Sequence, residues 1–509
     1  MKVQVCDVRV LAVTADRMGA DRAAYPDAER VMTQVQQDTD AGNQEAQRGF
    51  GLGVATALIV GSIIGTGIFN LPSSLAGYGP ITIVSMALTT IGALSLAILF
   101  AALSRRLPAD GGPYAYARVG FGNGLGFMNA WSYWITAWAG NAAIAVGWVL
   151  YVEVFINKGG NKFWSVVLVL IGLWLPALVN LSGVKNMGAV QVVTTVVKYI
   201  AVGFMATVGL FFIKGGNYTP WNVSGESAIS AIGGGMSIAL FSYLGVETAA
   251  VAAGKVRNPD RNIPRATVFG TLATAVVYLL SLTAVFGILP NQKLQNSTAA
   301  FSDAANKIFG GGTWAGNIMA VCVIISGLGA LNGWTMICAE MPYAAAKDGL
   351  FPDQFGKISK NGVPAFGIVA STLLASIAIV INYIGSNGST VFTTLVLMTG
   401  ITAAIPYAFS ALAQIKWRWI DHQEMHTPRF IRDLIVAGLA LIFSILFIYY
   451  SRNLGHSFWV YWAPFFLAGG ALLLGIPVYL SRRGKMTEPG PVPPYPAAIP
   501  AQPPAPGSA

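Results

Sequence analysis

The sequence predicts an all-α integral membrane protein with twelve transmembrane helices, and three observations carry that prediction. Of the 509 residues, 54% are hydrophobic and only 10% charged, with a mean hydropathy of +0.60, whereas a soluble domain carries about 25% charged residues. The apolar residues gather into segments near or above the length of about 20 residues that a helix needs to cross a bilayer. The basic residues fall mostly on one side of those segments, as the positive-inside pattern requires.

The spans read, in order, as 50–78, 81–104, 123–156, 163–183, 188–213, 230–254, 265–289, 312–345, 364–384, 389–416, 430–451 and 456–481. If they alternate, Arg105, Arg106, Arg118, Lys185, Lys255, Arg257, Arg261, Arg265, Lys347, Lys357, Lys360, Lys416, Arg418, Arg429, Arg432, Arg482, Arg483 and Lys485 share one side. The other side receives Lys158, Lys162, Lys214, Lys293, Lys307 and Arg452. A bias of roughly threefold places both termini in the cytoplasm and the protein in the cell membrane. The net charge of +10 is therefore a topology signal, and nucleic acid is not an expected partner.

The chain divides into a polar N-terminal segment (1–48), a twelve-helix domain (49–483) and a Pro/Ala-rich tail (484–509). The tail composition predicts an extended, disordered segment without a packed role. Residues 1–48 lack the apolar stretch of a secretory signal, and Met32-Thr33-Gln34 offers an alternative start to Met1. Cys6, Cys322 and Cys338 have no metal-ligand spacing and read as packed thiols. No metal or organic cofactor is expected.

The first span is interrupted by Gly61-Ser-Ile-Ile-Gly-Thr-Gly-Ile-Phe-Asn-Leu-Pro72, the sixth by Ser242-Tyr-Leu-Gly-Val-Glu-Thr248. Non-helical backbone survives at membrane depth only beside protein or a watery cavity. Gly65, Thr66 and Gly67 would present free N–H groups and a positive half-helix end, suited to the carboxylate of a small solute. Gly245 beside Glu247 is costly in an apolar helix and marks a second part of a site. Spans one and six hold matching places in two five-helix halves, the pattern of an inverted-repeat carrier with a midplane site. A single such glycine would more simply allow close helix packing; two breaks, one with a carboxylate, do not read that way.

These residues also resemble a known family. Gly61–Pro72, Gly111-Gly-Pro-Tyr-Ala-Tyr-Ala-Arg118 and Phe241–Gly254 resemble the amino acid–polyamine–organocation transporter superfamily. Lys255-Val-Arg-Asn-Pro-Asp-Arg-Asn-Ile-Pro264, Trp221-Asn-Val-Ser-Gly225 and Gly333-Trp334-Thr335 are similar to its basic amino acid/polyamine antiporter branch, of the arginine/agmatine type. The resemblance implies the leucine-transporter arrangement, with helices 1–5 and 6–10 as inverted repeats, alternating access about a central site, and a homodimer. By position, Ile64, Gly65, Thr66 and Gly67 would receive the substrate carboxylate and α-amine. Phe241 would be an aromatic gate, Trp334 would stack on the distal cationic group, and Asn141 would hydrogen-bond the substrate. Glu247 resembles a glutamate linked to amine recognition and proton sensitivity. Tyr114, Tyr116 and Arg118 resemble a short re-entrant inner gate. Two positions depart from the arginine/agmatine type, which carries Ser where Thr66 stands and Trp where Phe241 stands. Phe is the weaker cation–π surface.

Lys198 lies about ten residues into the fifth span, too deep to snorkel easily, so it is expected to face the bundle. The resemblance implies that it occupies a sodium site beside helix one, leaving protons rather than sodium as the coupling ion, with Lys198 and Glu247 as candidate proton sites. Trp131, Trp134 and Trp138 recur at helical spacing and read as one packed face; on the same helix, Asn141 could equally bridge two helices.

The leading expectation is an antiporter of cationic amino acids or their amines. The alternative is a proton-coupled symporter of neutral or broad specificity, which Lys198 and Phe241 favour. An enzyme would need a nucleophile–base pair or metal cluster, and His422, His426 and His456 sit at span edges or in loops, away from midplane acids. A flux-free nutrient sensor would keep the same pocket and could use the Pro-rich tail to bind a partner.

Overall fold

The computed structural model describes residues 51–107, 111–183, 187–248, 256–421, 428–454 and 457–494. The N-terminal segment with Met32 and Cys6, the second half of span six (249–254), His422, His426, His456 and the end of the tail lie outside the described residues.

The described residues form helices and no strand. In chain order they are α1 (Leu52–Ile63), α2 (Gly67–Leu75), α3 (Thr82–Arg106), α4 (Pro113–Phe121), α5 (Asn123–Val152), α6 (Lys162–Leu181), α7 (Met187–Thr207), α8 (Ala228–Leu240), α9 (Pro259–Ile288), α10 (Asn291–Gln295), α11 (Ala300–Ile308), α12 (Trp314–Lys347), α13 (Ala365–Tyr383), α14 (Gly388–Ile420), α15 (Pro428–Tyr450), α16 (Phe458–Leu473) and α17 (Gly475–Arg482). Ten stretches among them are long and apolar enough to cross a membrane, which makes this a multi-pass membrane protein. The two interrupted spans appear as α1 with α2, and as α8 followed by a 3₁₀ turn over Phe241–Tyr243.

Boundaries differ where loop chemistry tolerates helix. Span seven was expected from residue 265, but α9 begins at Pro259, because proline at a first helical position gives up an N–H that would have had no partner anyway. The short helices α4, α10 and α11 lie between spans and left no 20-residue apolar signal.

Helix α5 is the axis of the bundle. Its apolar stretch is fully buried, and it packs against α12 and α14. Small residues make this possible: Ala137, Ala139, Ala142, Ala143 and Ala145 are all buried, and such residues let backbones approach closely. Trp131 and Trp134 pack on Phe351 with ring centres at 5.6 and 5.7 Å, forming one aromatic face toward the loop after α12. In contrast, α16 and α17 are mostly exposed, with Trp459, Phe466 and Leu473 open, as lipid-facing helices are.

At one end of the bundle, α4 packs against α5 and α14. Arg118 pairs with Asp348 at 2.7 Å, and the Tyr114 hydroxyl donates to the same carboxylate. The first tail residues lie over this face. Arg118 Nη2 donates to the Thr487 carbonyl and hydroxyl, both at 2.7 Å, and Asn123 donates to the same carbonyl. Thr487 N–H donates to the Asp348 carbonyl. Arg106, paired bidentately with Asp421, donates from Nε to the Pro493 carbonyl at 2.7 Å. The Arg482–Asp353 pair at 2.7 Å holds the Asp353 carboxyl below its ordinary range.

Candidate functional site

The first break is built by residues that stop α1 and restart it as α2. Ile64 leaves helical geometry with ψ of 87°, and the Gly65 N–H turns to the Ile63 carbonyl. The carbonyls this strands are taken by side chains from other helices. Lys198 Nζ on α7 donates to the Gly61 carbonyl at 2.6 Å, and the Tyr278 hydroxyl on α9 donates to Ile63 at 3.0 Å. Thr66 Oγ1 donates to the Ile144 carbonyl on α5. Asn70 Nδ2 donates both to Thr66 O and to Gly147 O. The break is thus sewn to α7 and α9 through its carbonyl acceptors and to α5 through its side-chain donors.

Its donors are a different matter. Thr66, Gly67 and Ile68 are buried, yet among the described residues their backbone N–H groups find no acceptor. Buried N–H groups in native proteins are almost always paired, and these three stand together at the start of α2, where the helix dipole adds positive potential. That is the chemistry of an anion receptor.

The second break needs a glycine. After the 3₁₀ turn, Leu244 is extended and Gly245 takes φ of +108°, which an L side chain rarely adopts. Thr248 closes the turn through N–H and hydroxyl bonds to the Gly245 carbonyl. Glu247 is fully buried, and both its oxygens are occupied: Tyr133 on α5 donates to Oε1 at 2.7 Å, and Tyr407 on α14 to Oε2 at 2.8 Å.

The two breaks meet. A methyl built on Gly67 would lie 2.9 Å from Phe241 Cδ1 and 3.6 Å from Ser242 Oγ. Gly65 faces Ala330 of α12 and Ile144 of α5, and a methyl built on Gly327 of α12 would lie 2.8 Å from Thr66 Cγ2. One turn along those helices, Asn141 Nδ2 donates to Thr335 Oγ1 at 3.1 Å, while its Oδ1 is buried without a partner. Trp334 is buried beside Thr335. Ile64, Gly65, Thr66, Gly67 and Phe241 therefore share one region, and Asn141 and Trp334 flank it on α5 and α12. Lys198 stands behind the break, at the end of α1, and among the described residues it makes no ion pair. Glu247 is turned to its two tyrosines.

Tyr133, Tyr407 and Tyr278 were not singled out in the sequence. Tyr133 falls within the aromatic run on α5, where tryptophan periodicity masked it, and Tyr407 follows Pro406 in α14. Each is a phenol deep in an apolar span, and that was the available signal. Among the described residues no group of three or more His, Cys, Asp or Glu could hold a metal ion.

Comparison with known proteins agrees with this geometry. The family model described as amino acid permease matches residues 50–471. The chain is 30% identical over 433 residues to an arginine/ornithine antiporter of Pseudomonas aeruginosa, covering 80% of this chain and 87% of that protein. It is 30% identical over 376 residues to a cadaverine/lysine antiporter of Escherichia coli, covering 73% and 84%. A putrescine transporter of Haemophilus influenzae is 30% identical over 397 residues, covering 77% and 90%. With two broken spans meeting at unpaired amides and a family match over most of its length, the chain belongs to the amino acid permease family.

Proposed function

We propose that the protein is a secondary active transporter that exchanges cationic amino acids and their amines across the cell membrane. The observation that carries this is the contact of Gly67 with Phe241 beside three unpaired N–H groups. A substrate carboxylate would dock on those amides, with its α-amine beside Ile64 and Gly65. Trp334 would receive the distal cationic group, worth up to about 2 kcal/mol when desolvated, and Asn141 Oδ1 would accept from it. The relatives named for arginine, ornithine, lysine, cadaverine and putrescine support this substrate class.

In this reading the ten long spans and the two broken ones make twelve helices. Spans 1–5 and 6–10 form inverted repeats, both termini are cytoplasmic, and the protein works as a homodimer. The half-helices rock against α5, α12 and α14, and the Glu247–Tyr133–Tyr407 bonds tie the sixth span to those helices until substrate binds. Lys198 fills the place of a sodium ion, and Lys198 and Glu247 are the groups through which protons act.

One observation favours a second reading, proton-coupled symport: Lys198 is buried with a single carbonyl acceptor and, among the described residues, no carboxylate, and ionisable groups inside a membrane mark ion or proton paths. Counterflow in proteoliposomes separates the two. Labelled arginine, lysine, ornithine, putrescine and alanine are offered at two pH values, with and without substrate inside. Exchange requires internal substrate; uptake driven by a proton gradient into empty vesicles, with alanine preferred, would replace it with symport.

A further inference from the structure

At the end of the bundle opposite the tail, a pocket lies between the α2–α3 turn, the start of α8, the end of α15 and the start of α16. Tyr78, Glu226, Ser230, Tyr450, Arg452 and Tyr461 contribute to its wall. Among the described residues, three polar groups there have no hydrogen-bond or ion-pair partner. The Arg452 guanidinium is pinned between two rings, 4.9 Å from the centre of Tyr449 and 5.2 Å from that of Trp462. Its Nε is buried with no acceptor, and it makes no ion pair. The Glu226 side chain makes no hydrogen bond or ion pair either; only its backbone is engaged, by Asn222 and Ser224. The Tyr78 hydroxyl is the third such group. As a phenol it is a neutral donor there.

A guanidinium and an exposed carboxylate line this pocket without pairing, so each has its charge to offer a ligand. A lone anion on Arg452 would face the Glu226 carboxylate, and a lone cation at Glu226 would leave the buried Nε unsatisfied. A ligand carrying both charges satisfies both ends, with tyrosine faces beside its ammonium. We propose that this pocket binds a small zwitterion, its anionic group on Arg452 and Tyr78 and its ammonium on Glu226 among the Tyr450 and Tyr461 rings. Two sources have this chemistry: a free α-amino acid, and the phosphoethanolamine headgroup of a lipid. The aromatic residues at the ends of α15 and α16 place the pocket at the depth where headgroups lie.

Native mass spectrometry of the full-length protein tests the assignment. Wild type, Arg452→Gln and Glu226→Gln are titrated with phosphatidylethanolamine, with phosphatidylglycerol as the headgroup control, and separately with lysine and with alanine. A loss of at least about fivefold in phosphatidylethanolamine occupancy in both variants, with phosphatidylglycerol unchanged, identifies the headgroup. Loss of one bound amino acid equivalent in both variants, with any other equivalent retained, identifies the free solute. Equal occupancy of every ligand in all three proteins overturns the proposal. Glu226 is exposed, so Glu226→Gln carries the test by itself should Arg452→Gln fail to fold.

Discussion

Phe241 lies so close over Gly67 that a methyl group there would stand 2.9 Å from its ring. One broken helix therefore closes directly on the amides of the other, and the smallest side chain at residue 67 is part of that closure. Gly67→Ala should cut counterflow at least about fivefold, from an overpacking cost of about 1–3 kcal/mol, while the protein stays folded. Combining it with Phe241→Leu should recover part of the loss, because the two positions share one contact. Additive losses in the double variant would show that the contact is incidental.

Lys198 replaces, at the Gly61 carbonyl, the bond that Gly65 would have made had α1 continued. Lys198→Ala should change the pH dependence of exchange more than it changes substrate affinity. Exchange measured between pH 5 and pH 8, with the substrate KM determined at each end, checks this. An unchanged pH profile rejects a proton role and leaves the lysine as a helix cap, a role that Lys198→Met would also disturb.

Tyr133 and Tyr407 hold one carboxylate from two helices. Removing either hydroxyl as Phe should cost about 1.5–3 kcal/mol, the range for a hydrogen bond to a charged group. The double variant should lose less than the sum, since each single change already frees Glu247. Thermal stability in detergent and exchange rate, measured on all three, give the cycle. If Tyr133→Phe and Tyr407→Phe both behave as wild type, the pair has no coupling role.

The spans and both breaks were legible because bilayer length and glycine placement are written locally in the chain. Gly245 could be named as a break residue from its neighbours alone, and its φ of +108° is the reason. What joins the breaks to the scaffold was not legible. Tyr278 reaches Ile63 across 215 residues and Tyr407 reaches Glu247 across 160, and no spacing rule connects positions so far apart. The same holds for the tail: proline and alanine content predicts an extended chain, but the acceptors that Arg106 and Arg118 find there are backbone carbonyls, which every residue carries. Composition cannot announce them.

Trp334 is buried in α12 next to the Thr335 hydroxyl that orients Asn141. Trp334→Ala should weaken arginine, lysine and putrescine by up to about 30-fold, the equivalent of about 2 kcal/mol of cation–π energy, and alanine much less. Competition of unlabelled substrates against one labelled substrate reads the ratio. Equal losses for cationic and neutral substrates would mean that the ring serves packing alone.

Residues 485–494 lie across the end of the bundle, where Thr487 bonds Arg118 of α4 and Pro493 bonds Arg106 of α3. Truncation after Lys485 leaves both arginines their carboxylates, Asp348 and Asp421, but removes the backbone acceptors that join them. Both guanidiniums are buried, but water can replace the lost carbonyls, so each bond is worth about 1 kcal/mol net and the truncated protein should fold and melt only slightly lower. Its gating should change more. A cysteine at Tyr116, a fully buried position on α4, should be labelled by a maleimide about two to five times faster in the truncated protein, an increase set by the loss of about 1 kcal/mol of closing energy. Arg118→Gln should give the larger increase, because it loses Asp348 and Thr487 together. Identical labelling rates with and without the tail would show that α4 is closed by the Arg118–Asp348 pair and its own packing.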